Sequence, residues 1–369
     1  DYLEGAFEFD FKVVEGEFYT VEITYQGVLT TGYINSDLAG YELGSSKTMT
    51  TATYTIPATT DVIDLRIADN GDAKARIAQI TVTKQAKRQK RGKPVVHHIG
   101  DSTSANNGSW AYRLSKMSDS YTELFELCTF QNNGAGGRNL STYYTEGKLA
   151  SVLRDIYPDD IVMFGNNGTN GMGLSFEADV NYYLDAAEAL GAKIIINSYT
   201  PHGVVAGYTN GYDAATHTFD SYRKDSYETV VRRVAEERAA SDANYLGFVE
   251  IGKNADAAFN GYVADYAMNG YADADAAAQA IISCFTDHNH YNNGTLACNL
   301  MLNGYGEVKG IVGQLISILN KKTTDIEPLQ VPAVAEDRHE GIYTLSGQRV
   351  TAPVRRGLYI VNGRKVFVR

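Results

Sequence analysis

The chain has 369 residues, more than one hydrophobic core usually holds, so two or three domains are expected. Its net charge of −11 disfavours nucleic acid as a partner, and the absence of an apolar run of about 18 residues predicts no membrane insertion. The three cysteines, Cys128, Cys284 and Cys298, are too few for a disulfide framework, although a bridge between Cys284 and Cys298 stays open.

Residues 1–83 show the pattern of short β-strands. Apolar and polar residues alternate through 7–13 and 19–25, and Gly, Asn and Asp residues mark turns between such runs. This period of two predicts a small β-sandwich. The following residues, 84–93, are strongly basic and are predicted to form a solvated linker, with a polyanion contact as the alternative.

Residues 94–320 alternate buried apolar strands with amphipathic helices, a pattern that predicts a parallel sheet covered by helices on both faces. The predicted strands are 95–99, 124–130, 161–164, 194–197 and 246–251, and the predicted helices lie within 110–117, 178–190 and 222–240. Ligands bind such sheets at the carboxyl ends of the strands, so the loops there are the candidate sites for chemistry.

The later part of the chain divides into three pieces. The alanine-rich segment 254–282 is expected to be an inserted helical excursion that borders the cleft, and 295–319 is expected to close the domain with one helix. Residues 321–369 are expected to form a polar linker and a small β tail.

Ser102 is the candidate nucleophile because it follows the first strand of the α/β region. A serine needs a base and the base needs an orienting group, and His290 with Asp287 can supply both from one turn. Taken alone, the serine also fits a helix cap, and the Asp-x-x-His pattern also fits a polar turn or a metal site. No metal or other cofactor is expected, because no further ligand cluster has suitable spacing.

Two other loops can supply the hydrogen-bond donors that an acyl-transfer reaction needs for its oxyanion. Residues 133–139 are rich in glycine, which allows close backbone approach to a ligand, and residues 164–170 offer side-chain amides. Each loop alone also fits an ordinary tight turn. Their order along the chain, between Ser102 and His290, favours a shared catalytic role.

Four segments together resemble the signature blocks of the SGNH (GDSL-like) hydrolases: Gly100–Ser102, Gly136–Arg138, Gly165–Asn167 and Asp287–His290. Residues 135–149 are also similar to a segment typical of rhamnogalacturonan acetylesterases. The resemblance covers about 94–320 and implies a flavodoxin-like three-layer α/β/α fold. It also implies a Ser102, His290 and Asp287 triad, with an oxyanion hole formed by the Ser102 N–H, the Gly137 N–H and the Asn167 side chain.

The third block departs from the acetylesterase pattern, because Asn166 and Gly168 replace a histidine and an aspartate, and this puts the identity of the polysaccharide in doubt. Residues 1–83 resemble a galactose-binding-like domain, which either binds sugar or supports the catalytic domain. Residues 341–369 resemble the C-terminal sorting domain of Bacteroidetes type IX secretion cargo, which implies a secreted or cell-surface protein and the secretion machinery as a partner.

These features predict a secreted serine acetylesterase that acts on an acetylated plant cell-wall polysaccharide, with rhamnogalacturonan (pectin) first. One alternative is an esterase for acetylxylan or another ester. The other is a non-catalytic carbohydrate-binding surface protein. The presence of candidates for every catalytic role favours the enzyme.

Overall fold

The computed structural model describes most of the chain, and its described residues divide into two compact units, Asp1–Thr323 and Thr324–Arg369. The described ranges are 6–27, 29–34, 46–69, 76–105, 107–165, 175–201, 211–222, 224–287, 290, 295–324, 342–344, 349–350, 357–361 and 364–368. None of the helices in these ranges is long and apolar enough to cross a membrane.

The first six strands form two antiparallel three-stranded sheets. They are β1 (Ala6–Lys12), β2 (Phe18–Gly27), β3 (Leu29–Ile34), β4 (Ser46–Pro57), β5 (Val62–Asp69) and β6 (Arg76–Lys84). One sheet has the order β1-β5-β3 and the other β4-β2-β6. Val21, Ile23 and Tyr25 alternate along β2 with less buried residues, so one face of the strand enters the core. The N-terminal region is therefore the predicted β-sandwich.

The second region is built on a five-stranded parallel sheet. Its strands are β7 (Val95–Ile99), β8 (Thr129–Asn132), β9 (Ile161–Phe164), β10 (Lys193–Asn197) and β13 (Tyr245–Val249). Their spatial order is β13-β10-β9-β7-β8, and every neighbouring pair is parallel. This order is the flavodoxin-like one, with the strand order reversing between β7 and β9. The predicted fold class is confirmed.

Helices cover both faces of this sheet. They are α1 (Ser102–Ala105), α2 (Trp110–Leu114), α3 (Thr122–Leu127), α4 (Leu140–Thr145), α5 (Lys148–Asp155), α6 (Phe176–Ala189), α7 (Ser226–Ser241), α8 (Gly252–Ala264), α9 (Ala274–Ile282), α10 (Thr295–Asn303) and α11 (Ile311–Thr324). Two short hairpins complete the region: β11 (Tyr212–Asp213) with β12 (Thr218–Phe219), and β14 (Gly304–Tyr305) with β15 (Val308–Lys309).

Two hydrophobic cores lie on opposite faces of the parallel sheet. Val162 and Phe164 of β9 belong to one core, whereas Ile161 and Met163 of the same strand belong to the other. Because successive side chains of a strand point to opposite faces, a strand buried on both faces is continuously apolar. This is why the sequence of β9 shows no alternation.

Three sequence expectations within this region are wrong. Residues 124–130 are not one strand, because their first part belongs to α3 and only Thr129–Asn132 pairs in the sheet. The expected closing helix 295–319 is interrupted by the β14–β15 hairpin. Gly304 there has φ of +77°, a conformation that favours glycine.

The third error concerns 254–282, which does not form an excursion. α8 and α9 pack into one of the two sheet cores, and their buried residues Ala258, Phe259 and Ala278 are part of it. Of the alanines that suggested an insertion, Ala255, Ala258, Ala277 and Ala278 are small core residues.

The sandwich and the α/β layers share one core. Val21, Ile56 and Leu65 of the sandwich are buried in the same cluster as Leu153 of α5 and Val180 of α6. Gly16, between β1 and β2, lies directly against α6, since a Cβ there would come within 2.6 Å of the Ala189 carbonyl oxygen. The sandwich is thus packed onto the α/β region.

The basic segment 84–93 is mostly exposed, but two of its arginines bind other parts of the fold. Arg88 donates hydrogen bonds to the carbonyl oxygens of Arg154 (2.7 Å) and Ile156 (2.8 Å), and its guanidinium lies over the rings of Phe18 (3.7 Å) and Tyr157 (4.7 Å). These contacts join the sandwich to the end of α5. The positive charge of Arg88 therefore binds groups of the fold itself.

A second arginine of this segment binds a buried carboxylate. Arg91 donates to Asp160 (3.0 Å), which also accepts the backbone N–H of Val95 (2.9 Å) and of Tyr157 (2.9 Å). Burial opposes ionisation of Asp160, but hydrogen bonds, that of His97 foremost, hold its pKa below the usual range. The charged carboxylate fixes the start of β7.

The second unit contains four short strands: β16 (Ile342–Thr344), β17 (Arg349–Val350), β18 (Gly357–Val361) and β19 (Arg364–Val368). They form one antiparallel sheet in the order β17-β16-β18-β19. The tail is therefore a small β unit, as its sequence pattern predicts.

We expect Arg88→Ala to lower the free energy of unfolding by about 2 kcal/mol, because it removes two charge-assisted hydrogen bonds and a cation–π contact. Urea denaturation measures this loss. Lys87→Ala, at the neighbouring exposed position, is the matched control and should leave stability unchanged. Equal stability of the two variants would show that the Arg88 contacts do not stabilise the fold.

Candidate active site

The candidate site is built on backbone hydrogen bonds between the ends of neighbouring strands. The Gly165 N–H donates to Ile99 O (3.0 Å), and the Ala135 N–H donates to Gly100 O (3.0 Å). These bonds tie the loops after β8 and β9 to the end of β7, directly before Ser102. The described beginnings of the two sequence-predicted loops therefore meet at the end of β7, where the strand order reverses.

Glycines are required in two of these strand ends because side chains fill the space beside them. A Cβ on Gly100 would overlap the hydroxyl of Ser104 and the ring of His98. A Cβ on Gly165 would overlap the side-chain amide of Asn197. The glycine of each motif thus lets a neighbouring side chain approach the backbone closely.

Asp101 shapes the turn that carries the serine. Its carboxylate accepts hydrogen bonds from the Thr103 N–H and hydroxyl, both at 2.8 Å. Its carbonyl oxygen accepts from the N–H of Ser104 (3.1 Å) and of Ala105 (2.9 Å). Because Asp101 is buried and fully engaged, Ser102 begins α1 in a fixed orientation.

A chain of hydrogen bonds links Ser102, His290 and Asp287. The Ser102 Oγ lies 2.7 Å from His290 Nε2, and His290 Nδ1 lies 2.8 Å from Asp287 Oδ2. The carboxylate accepts the Nδ1–H, so Nε2 is left as an acceptor for the serine hydroxyl. This arrangement can activate a serine as a nucleophile.

Local backbone contacts hold the histidine in place. The His290 N–H donates to Asp287 Oδ1 (2.9 Å), and the Thr286 N–H donates to His290 O (2.8 Å). The carboxylate therefore binds both the backbone and the ring of the same residue. The Asp-x-x-His spacing thus lets one carboxylate hold both the backbone N–H and the ring of the base.

Helix α10, which follows the histidine, is anchored to the serine side of the site. Arg113 of α2 donates to the Thr295 hydroxyl at 3.1 Å, and the Cys298 thiol donates to Gly108 O at 2.9 Å. Cys128, Cys284 and Cys298 are all free and buried, so the open Cys284–Cys298 bridge is not formed. The contacts of Arg113 and Cys298 therefore connect the segment that follows Ser102 to the helix that follows His290.

The predicted oxyanion donors are only partly described. Gly137 has φ of +69°, is exposed, and gives its N–H to no backbone carbonyl among the described residues. Its neighbour Gly136 lies close to Ser102, since a Cβ on Gly136 would be 4.0 Å from the Ser102 Cβ. Asn167 lies outside the described residues, as does the rest of 166–170.

A neutral histidine packs beneath this site. Complete burial lowers the pKa of His98 to about 3, so the ring is uncharged at neutral pH. It packs against Trp110 with ring centroids 4.8 Å apart. No group of three or more His, Cys, Asp or Glu side chains among the described residues is arranged to hold a metal ion.

Arg138 and Glu146 form a pair beside the site to which the sequence pattern assigned no individual role. Arg138 donates to Gly136 O (2.8 Å) and to Glu146 Oε2 (2.8 Å). Both residues belong to the acetylesterase-like segment, but their eight-residue separation does not match the spacing of neighbours on a helix. The ion pair becomes visible only once the turn and α4 between them are placed.

The fold and site define an α/β/α protein with a serine, histidine and aspartate chain at the carboxyl edge of a parallel sheet. No protein-family model matches this chain, and no curated protein matches it at a significant level. Comparison with solved structures does find similar chains.

The Bacillus subtilis protein YXIM is 14% identical over 87% of this chain and 81% of that chain, with a TM-score of 0.39. A GDSL-like lipase from Bacteroides thetaiotaomicron is 12% identical over 63% and 92%, with a TM-score of 0.33. A family two carbohydrate esterase from Clostridium thermocellum, solved with cellohexaose, is 13% identical over 68% and 82%, with a TM-score of 0.26. At these values no likeness decides the function, which rests on the residues of this chain.

We expect a fluorophosphonate probe to form one covalent adduct, at Ser102, because His290 is placed to accept the proton of the Ser102 hydroxyl. Intact-protein mass spectrometry measures the adduct. Ser102→Ala should remain unlabelled, and Ser118→Ala, which removes an exposed serine elsewhere, should label like the wild type. Persistent labelling of Ser102→Ala would show that another residue is the nucleophile.

Proposed function

We propose that this protein is a serine esterase that removes acetyl groups from a plant cell-wall polysaccharide, with rhamnogalacturonan as its preferred substrate. The observation that carries the proposal is the chain of hydrogen bonds from Ser102 Oγ through His290 to Asp287. Catalysis needs a nucleophile, a base and an orienting carboxylate, and these three residues supply them in that order.

In the proposed reaction, Ser102 Oγ attacks the carbonyl carbon of the acetyl ester while His290 Nε2 takes the hydroxyl proton. The tetrahedral intermediate expels the sugar oxygen, which receives that proton from His290. Water then attacks the acetyl-serine with the same imidazole as base, which releases acetate and restores Ser102. Asp287 holds the ring orientation and stabilises the imidazolium throughout.

The negative oxygen of the intermediate needs donors that are already in place. In the proposal these are the Ser102 N–H, the Gly137 N–H and the Asn167 side-chain amide. The Gly137 N–H supports this part, because Gly137 is exposed and its N–H donates to no backbone carbonyl of the described residues. Metal or cofactor chemistry has no part in the proposed mechanism.

Two observations support a polymeric substrate. The side chains of Asp287 and His290 are 45% and 29% exposed, which supports access of an extended chain to these two residues. Residues 135–149, which resemble the rhamnogalacturonan acetylesterase segment, form the turn beside Ser102, helix α4 and the beginning of α5. The resemblance therefore falls on residues next to the reacting serine.

We expect the wild type to release acetate from acetylated rhamnogalacturonan faster than from acetylated xylan, and Ser102→Ala to lower both rates more than about 1,000-fold. Coupled enzymatic measurement of acetate gives the rates, and p-nitrophenyl acetate reports activity without a polymer. The matched Ser118→Ala variant should behave like the wild type.

Other outcomes would favour the alternatives. A higher rate on acetylated xylan would make acetylated xylan the preferred substrate and would leave the proposed mechanism unchanged. No release from any of the three substrates, together with polysaccharide binding in affinity electrophoresis, would favour the non-catalytic binding protein.

Loss of the third oxyanion donor gives an independent check. We expect Asn167→Ala to lower kcat about 100-fold or more with little change in KM, because the amide acts mainly on the charged intermediate. Steady-state kinetics with p-nitrophenyl acetate measures both constants. Full turnover in the folded variant would remove Asn167 from the oxyanion hole.

We also propose that the protein is exported through its C-terminal unit to the cell surface or beyond. The compact β unit within 324–369 supports this, because a signal that forms its own sheet can be read by a secretion system without unfolding the rest. Fusion of 321–369 to a fluorescent protein in a bacterium with type IX secretion tests it. Retention of the fusion inside the cell would contradict it.

A further inference from the structure

The turn that carries the Gly137 N–H contains an adjustable peptide group. The Arg138 N–H donates to Ala135 O at 3.4 Å, which closes the turn 135–138, and Gly137 at its third position has φ of +69°. A positive φ at this position is the mark of a type II turn. The central peptide group of the turn joins Gly136 to Gly137.

Type I and type II turns differ mainly in the orientation of this central peptide group. Most residues favour one of the two, because a side chain at the third position disfavours positive φ. Glycine accepts both about equally, and here glycines stand on both sides of the group. Local backbone preference therefore does not hold the Gly137 N–H in one direction.

The side chain of the last residue of the turn, Arg138, does hold it. Arg138 Nη1 donates to the carbonyl oxygen of Gly136 at 2.8 Å. That oxygen and the Gly137 N–H belong to the same planar trans peptide group, so they point in opposite directions. Fixing the oxygen on the arginine side directs the N–H to the other side.

The arginine is itself held by Glu146. Arg138 Nε lies 2.8 Å from Glu146 Oε2 and 3.1 Å from Oε1. The hydrogen bond from Arg138 is the main cause that lowers the pKa of Glu146, and the charge of Lys148 contributes as well. The carboxylate is thus ionised through the neutral range and keeps the guanidinium beside the turn.

Short helix α4 sets the distance between the two partners. Asn139 caps its beginning, accepting from the Thr142 N–H at 2.9 Å, and Glu146 is the residue at its end. Tyr183 donates to Leu140 O at 2.5 Å and fixes the helix to α6. Arg138 and Glu146 therefore lie at the two ends of α4, and the hydrogen bond from Tyr183 restrains this helix against α6.

We propose that Arg138, held by Glu146, is a positioning residue that locks the Gly136–Gly137 peptide so that the Gly137 N–H faces the substrate oxyanion. This inference rests on the proposed esterase function and adds to it the means by which one oxyanion donor is oriented. The hydrogen bond to Gly136 O also polarises the peptide group and makes its N–H a stronger donor.

Steady-state kinetics with p-nitrophenyl acetate tests the proposal on Arg138→Met and Glu146→Gln. Arg138→Met should lower kcat about 10-fold or more with little change in KM, because the donor acts mainly on the tetrahedral intermediate. Glu146→Gln should give a smaller loss of the same kind. The double variant should be no worse than Arg138→Met, because both changes release the same peptide group.

Arg154→Met is the matched control. Arg154 is 41% exposed against 39% for Arg138 and also neighbours a carboxylate, that of Asp155, but it lies at the end of α5 that precedes β9. Its kcat should equal that of the wild type. Thermal unfolding of each variant separates loss of turnover from loss of fold, and Glu146→Gln tests the same contact if Arg138→Met does not fold.

Affinity for phenylboronic acid, which forms a tetrahedral adduct with an active serine, gives a second readout. Arg138→Met should weaken its inhibition by the same factor as kcat, an effect that a purely structural role would not produce. Wild-type kcat in folded Arg138→Met, or a change confined to KM, would overturn the inference. Failure of the esterase proposal looks different, because the wild type would then be inactive or Ser102→Ala would remain active.

Discussion

Hydrogen bonds between the ends of parallel strands are the constraint on which the site depends. A backbone group that emerges from a buried strand has lost water and must find a partner. At the end of β7 the carbonyl oxygens of Ile99 and Gly100 find theirs in the loops after β9 and β8. Satisfying the backbone thereby brings Gly165 and Ala135, where these loops begin, to the chain directly before Ser102. The proposed chemistry uses a convergence that the sheet requires in any case.

Arginines complete this construction in a chain that is acidic overall. Arg88 and Arg138 both donate to backbone carbonyl oxygens, Arg91 neutralises a buried carboxylate, and Arg113 reaches across to α10. A guanidinium suits such contacts because its donors form a rigid planar fork. The net charge of −11 therefore says little about where positive charge acts, since several arginines serve to connect elements of the fold.

The sequence predicted most of what depends on local pattern. The strands at 95–99 and 161–164 match because each is a short run that begins and ends with apolar residues and is followed by glycine. The Asp287 and His290 pair could be proposed from one turn. It failed where tertiary context decides. The helical start of 124–130 resembles a buried strand in composition, and alanine-rich 254–282 resembles an insertion until its neighbours are known. The Arg138 and Glu146 contact spans a turn and a helix, so no local spacing indicates it.

The shared core of the sandwich and the α/β region has an evolutionary consequence. Accessory modules on flexible linkers can be gained, lost or exchanged among enzymes, because the catalytic domain stays covered without them. Here Val21 and Ile56 of the sandwich fill the same cluster as Leu153 of α5. Deleting the sandwich would expose that apolar surface to water, so the two parts must be inherited together. Their interface residues are expected to have changed in step during descent, as the two halves of a single domain do.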